Sequence, residues 1–238
     1  MTTERTTSGN PPGIRDLAPP RPIGQSPDVC LACGTCSAGC PLTGVNDFDP
    51  RRIVRQVLKG EDQQLIESKL PWLCTMCGKC EYACPMGINI VSIIRTTRGL
   101  VKRENVPGMI QKGIELGLKT GNNIGVRRED FEFIITDVAE ELAEEEPALA
   151  NFEVPIDKKG VNLLHTLHNK LVNTQNDDLK HWWKIFEAAG ESWTIPGENW
   201  EGVNWGLFSG DDEAMKTFIG RIVKHMERLE ISNLMYPE

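Results

Sequence analysis

Eight cysteines between residues 30 and 84, all that the chain contains, dictate the course of the backbone around them. They form two sets, Cys30, Cys33, Cys36, Cys40-Pro41 and Cys74, Cys77, Cys80, Cys84-Pro85, each reading C-x2-C-x2-C-x3-C-P. Every cysteine of the first set precedes its counterpart by 44 positions (30 and 74, 40 and 84), so the segment is an internal repeat. Three evenly spaced thiols on a winding loop can face one small inorganic core, and the fourth must come from elsewhere. This is the ligand pattern of a [4Fe-4S] cluster, and in the two-cluster version the last cysteine of each run serves the other cluster. The expected sets are Cys30, Cys33, Cys36 and Cys84 for cluster 1, and Cys74, Cys77, Cys80 and Cys40 for cluster 2. Such crossing staples the repeats together and keeps two clusters close enough for electron passage. The small residues Ala32, Gly34, Thr35, Ser37, Ala38 and Gly39 should let backbone N–H groups approach the sulfurs, and Pro41 and Pro85 end each loop's hydrogen-bonding run.

Two other uses of cysteine fit less well. A zinc-stapled interaction module usually carries two C-x2-C pairs with a longer gap between them. A disulfide framework needs an oxidising compartment, and the first thirty residues show no basic start followed by an apolar stretch. The net charge of -8 argues against nucleic acid as a partner. No run of about 18 apolar residues occurs, so no membrane span is expected. The expected setting is the reducing cytoplasm, with attachment to a membrane complex left to partners.

Residues 1–27, rich in Thr, Pro and Gly, predict an extended or flexible arm with nothing to build a core. Asp49-Pro50 reads as a cap and first turn of a helix whose buried face is Ile53, Val54, Val57 and Leu58. A second short helix follows around 61–69, and Leu70-Pro71-Trp72-Leu73 leads back to the second loop, with Trp72 and Leu73 shielding cluster 2. Asn89 caps a helix carrying Ile90, Ile94, Thr97 and Val101 on one face and Arg95, Arg98 and Lys102 on another, the latter read as a solvated stripe able to meet an acidic partner. Helices over about 109–119 and along Phe131, Ile134, Ile135, Val138 and Leu142 complete an α-helical domain of residues 28–150.

Residues 151–238 read as a small β-α-β-α unit: a run at 161–167, a helix at 177–189 stopped by Gly190, a run at 193–195, and a helix from about Asp211. The fold class is thus α plus α/β. That order implies parallel strands, and two alone leave unpaired edges. Either 152–156 adds a strand or a partner chain covers the edge, and the second is the expectation. His165, His168 and His181 do not read as a metal site, because the first two would point to opposite faces of a strand. No acid-base or nucleophile motif is present, so no catalytic residue is expected.

The stretch from Cys30 to about Arg103 resembles the C-type subunit of heterodisulfide reductase, through the two cysteine loops, Asp49-Pro50-Arg51-Arg52-Ile53 and Trp72-Leu73 before Cys74. Residues 153–229, with Ile156-Asp157-Lys158-Lys159-Gly160 and Trp205-Gly206-Leu207-Phe208-Ser209-Gly210-Asp211, are similar to the segment preceding CCG domains in fused relatives, which include iron-sulfur subunits of glycolate oxidase type. The resemblance implies a hetero-oligomer in which electrons pass from a flavin-containing A-type subunit through two [4Fe-4S] clusters to a CCG-motif B-type subunit. It also suits heterodisulfide-reductase-like complexes of sulfur oxidisers. This sequence has no CCG motif, so a separate chain would carry that site. An alternative implied by the fused relatives is the front part of a longer dehydrogenase subunit feeding a quinone pathway.

Overall fold

Asp49 and Pro50 open a helix where the sequence places one. In a computed structural model, which describes residues 13–17 and 26–236, Asp49 Oδ1 accepts from the amides of Arg51 (2.8 Å) and Arg52 (3.3 Å). The chain divides into two units, one reaching to Pro107 and including Phe208–Asp211, the other comprising Gly108–Leu207 and the residues from Asp212 on.

Unit 1 is helical. Its elements are α1 (Ile14–Leu17), α2 (Thr35–Gly39), α3 (Pro50–Leu58), α4 (Asp62–Glu67), α5 (Leu70–Leu73), α6 (Lys79–Tyr82) and α7 (Ile90–Leu100). The core joins Ile53, Val54 and Val57 of α3, as expected, to Ile90 and Ile94 of α7 and also to Val91 and Ile93, which the expected face omitted, with Phe48 and Leu65. Thr97 and Val101 of the expected face are buried outside this cluster, Val101 just past the helix end. Asn89 caps α7 as expected, its Oδ1 accepting from the amide of Ser92 at 3.3 Å. Much of the expected arm, residues 1–12 and 18–25, lies outside the described residues. Within it, Gly13–Leu17 corrects the reading: Ile14 is buried in the core, and its amide donates to Asp62 Oδ2 at 2.8 Å. One isoleucine without neighbours of its own period gives no sequence pattern, yet burying it is worth about 1.5–3 kcal/mol.

Unit 2 holds α8 (Gly108–Thr120), α9 (Arg128–Glu145), β1 (Leu163–His165), α10 (Asn169–Asn173), α11 (Asp177–Ala189), β2 (Trp193–Thr194), α12 (Trp205–Ser209, of which Trp205–Leu207 belong here), α13 (Asp212–Leu229) and β3 (Asn233–Met235). The division falls at Pro107 rather than near residue 150, because Phe131, Ile135, Val138, Ala139 and Leu142 of α9 share one core with Leu167, Leu179, Trp183, Trp193 and Trp200. Phe131 stacks on Trp200 with centroids 4.8 Å apart. Asp157 links α9 to α13 by ion pairs to Arg128 (3.1 Å) and Arg228 (2.6 Å).

The strands are parallel and ordered β2-β1-β3. The chain's own residues 233–235 thus pair with β1, and Ile156 bridges to Ile195 beyond β2. This corrects the expectation that a partner chain must cover the edge of a two-stranded sheet. His165, in β1, is fully buried, whereas His168 lies past the strand and caps α10, its Nδ1 accepting from the amide of Lys170 at 3.0 Å. Among the described residues, no helix is long and apolar enough to cross a membrane.

Candidate iron-sulfur site

The two cysteine loops fold alike because their backbones turn at equivalent positions. Ala32 and Met76 have φ of 53° and 58°, and Gly34 and Gly78 have φ of 86° and 76°. Left-handed conformations are open to glycine and costly for other residues, so each loop carries one residue held against its preference. The reason is visible at the sulfurs: the amide of Ala32 donates to Cys30 Sγ (3.4 Å) and the amide of Met76 to Cys74 Sγ (3.3 Å). Small side chains were expected to permit such contacts. Met76 has a long one, so the backbone turn, not side-chain size, aims the N–H. Gly34 and Gly78 then start α2 and α6.

These two short helices pack against each other, and a Cβ on Gly39 would stand 3.5 Å from that of Ala83, its counterpart in the repeat. Their contact brings the end of each loop to the other loop. One cavity is lined by Cys40, Cys74, Cys77 and Cys80, with Phe48, Ile53, Val91 and Ile94 among its apolar walls. A second is lined by Cys30, Cys33, Cys36 and Cys84, with Val54, Met86 and Ile88. Ile90 lines both. All eight cysteines are free. Among the described residues no three His, Cys, Asp or Glu side chains are grouped to hold a metal ion. The thiols line two spaces with apolar walls, four to each and drawn from both repeats, and four thiolates are what a [4Fe-4S] core takes.

The neighbouring groups complete each loop. Asp49, besides capping α3, accepts from the hydroxyl of Ser37 in the first loop. Burial raises the Asp49 carboxyl, but the Ser37 hydroxyl and the Arg52 and Arg51 amides outweigh it and leave it below the ordinary value. Glu81 of α6 accepts from the amide of Val91 at 2.7 Å and so fixes the second loop on α7.

The thiols differ. The Thr35 hydroxyl, 3.3 Å away, lowers the exposed Cys33, and the Lys79 amide lowers Cys77. Burial raises Cys36 and Cys74 and, with the nearby Cys74 thiol, pushes Cys80 up to about 12. Each cavity thus has one exposed thiol whose pKa is lowered, Cys33 or Cys77, and at least one more deeply buried thiol whose pKa is raised, Cys36 in one and Cys74 and Cys80 in the other.

Arg98 departs from its sequence reading. It is 5% exposed, where the spacing of Arg95, Arg98 and Lys102 suggests a solvated stripe. Trp72 and Leu73 are half-buried; Leu73 packs against the core, while Trp72 carries the Arg98 guanidinium 5.2 Å from its ring centre.

Residues 26–88 match the family of the 4Fe-4S dicluster domain. The chain is 31% identical over 99 residues to the C subunit of the ferredoxin:CoB-CoM heterodisulfide reductase of Methanosarcina acetivorans, covering 40% of this chain and 39% of that protein. It is 27% identical over 105 residues to the C iron-sulfur subunit of the CoB--CoM heterodisulfide reductase of Methanopyrus kandleri, covering 44% and 55%. Identity with the C 2 iron-sulfur subunit of the same enzyme from Methanocaldococcus jannaschii is 34% over 82 residues, covering 34% and 44%. The match thus spans between about two fifths and just over half of these relatives' own lengths. These likenesses support the family of heterodisulfide reductase C subunits for the part of the chain that carries the cysteines.

Proposed function

We propose that this chain, whose residues 26–88 match the 4Fe-4S dicluster domain and which is similar to heterodisulfide reductase C subunits, is an electron-transfer subunit with two [4Fe-4S] clusters. Cys30, Cys33, Cys36 and Cys84 hold one cluster, and Cys74, Cys77, Cys80 and Cys40 the other. The observation that carries this reading is the grouping of the eight thiols around two cavities, each completed by a cysteine from the opposite repeat. When bound, such clusters supply one-electron redox chemistry at potentials set by their surroundings.

The chain's own residues supply the rest. The amides of Ala32 and Met76 donate to ligand sulfurs, apolar side chains exclude water, and Ile90 stands in the wall of both cavities. The electrons would enter from a flavin-containing A-type subunit and leave to a CCG-motif B-type subunit of a heterodisulfide reductase-like complex, where disulfide or sulfur chemistry takes place. The relatives' character as C-type iron-sulfur subunits supports that setting.

Cys40→Ser and Cys84→Ser variants, purified without oxygen, test the crossed ligation through iron and sulfide content and low-temperature electron paramagnetic resonance. Each should damage the cluster of the opposite repeat. Damage confined to the same repeat would refute the assignment, and wild-type protein free of iron and acid-labile sulfide would refute the function.

A further inference from the structure

Arg98, one turn beyond the cavity-lining Ile94 on α7, holds a buried charge that no carboxylate balances. Its Nε donates to Pro71 O at 2.9 Å, one terminal nitrogen to Phe208 O (2.6 Å) and Met76 Sδ (3.1 Å), and the other to Cys74 O. The guanidinium lies over Trp72. No Asp or Glu among the described residues forms an ion pair with it, and every acceptor it reaches is neutral. A buried cation without a counter-charge is strongly disfavoured in general, so a fold that keeps one beside a cluster-binding loop calls for an anion nearby.

The surroundings are built for this residue. A Cβ on Gly99 would meet Gly210 O at 2.7 Å, so glycine at 99 lets the 208–211 segment come close enough to offer the Phe208 carbonyl. Pro71, Trp72, Cys74 and Met76 all belong to the approach to the second loop or to the loop itself. Among the described residues the first loop has no buried arginine equivalent to it. Its nearest arginine, Arg51, lines the cavity but is exposed, and solvent screens an exposed charge far more than a buried one.

We propose that Arg98 is the counter-charge of cluster 2 and the residue that sets its potential, making cluster 2 easier to reduce than it would otherwise be and biasing electrons toward it within the pair. The inference rests on the two-cluster reading given above. Adding an electron makes the thiolate-bound cluster more negative, and a fixed, unscreened positive charge stabilises that form. Cluster 1, with only a screened arginine, receives no comparable bias. Arg98 acts as a tuning residue and not as a ligand.

The test is a redox titration of the anaerobically purified full chain, with both cluster signals followed by electron paramagnetic resonance in wild type, Arg98→Met and Arg98→Lys. Iron and sulfide are counted in each. Arg98→Met should retain both clusters and shift the reduction equilibrium of cluster 2 toward the oxidised form at least tenfold, a fall of ~59 mV for one electron. Cluster 1 should stay within twofold of wild type. Arg98→Lys, which keeps the charge, should recover most of the shift.

An Arg98→Met protein with full iron and an unmoved second potential, or with both potentials moved equally, overturns the proposal. Should Arg98→Met not hold its second cluster, Arg98→Lys decides. A lysine variant that loads cluster 2 supports the role of charge, and one that does not overturns it in favour of the hydrogen bonds alone. A wild type lacking iron defeats the two-cluster reading itself, an outcome separate from all of these.

Discussion

Replacing His165 by leucine should make unit 2 more resistant to mild acid. The imidazole is fully buried, neither ring nitrogen has a hydrogen-bond partner, and its neighbours are the rings of Phe186, Trp193 and Trp182, at 5.3, 6.1 and 6.4 Å. Burial lowers its pKa from 6.5 to about 4. Above pH 6.5 the ring is neutral in the folded and unfolded chain alike, and its contribution does not vary with pH. Below 6.5 the unfolded chain takes up a proton that the fold refuses. Unfolding free energy then falls by about 1.4 kcal/mol per pH unit, about 2 kcal/mol between pH 6.5 and 5 and about 3 kcal/mol by pH 4. Leucine, close in size and without polar atoms, removes that slope and spares two unpaired nitrogens. Stability at pH 7.5 should therefore not fall, since an orphaned buried polar group costs about 1–3 kcal/mol. Urea titrations of the full chain at several pH values, read by tryptophan fluorescence, measure this, because Trp182, Trp183, Trp193, Trp200 and Trp205 all lie in unit 2. His168 and His225 are also lowered by burial, but they are shared by both proteins and cancel in the difference. A stability difference that stays constant from pH 7.5 to 5 would refute the reasoning.

Two further outcomes follow from packing and capping in unit 1. Asp49→Ala removes the acceptor for two helix-start amides and for Ser37. It should cost about 1–2 kcal/mol, seen as a lower melting temperature together with faster iron loss from cluster 1 than from cluster 2. Gly99→Ala drives a methyl group into Gly210 O, 2.7 Å from the ideal Cβ position, and should cost about 1–3 kcal/mol. By contrast Gly220→Ala, a helix position whose added Cβ meets nothing within 4 Å, should stabilise by about 0.5–1 kcal/mol in the same denaturant titration.

The dicluster region and the helices of unit 1 can be read from the sequence because cysteine spacing, Asp49-Pro50, Asn89 and apolar periodicity are all local signals. The fate of Arg98 cannot. Its acceptors come from residues 27, 24 and 110 positions away, and a charge at helical spacing with Arg95 and Lys102 looks solvated until those carbonyls are in place. The edge strand β3 escapes a sequence reading for a similar reason. Asn233–Met235 is three residues long, too short for alternation to register, and its pairing with β1 spans about seventy positions (Leu163 with Asn233). The apolar run at 161–167 makes His168 look like a strand neighbour of His165, and only the geometry shows the strand ending at 165 and the next helix starting at 169. Chain order alone places α9 with the first domain, whereas its aromatic and aliphatic partners lie between residues 167 and 200.

The exchange of a wall residue between the two thiol-lined cavities also bears on biogenesis. A growing polypeptide that has left the ribosome only as far as Leu73 would offer three thiols toward one inorganic core and a solitary Cys40 toward the next, so neither could be finished. On the proposed ligand sets, the core that takes Cys40 would have its four thiols once translation passes Cys80, whereas the core begun at Cys30 would have to wait for Cys84, so the loop made first would be the last to be filled.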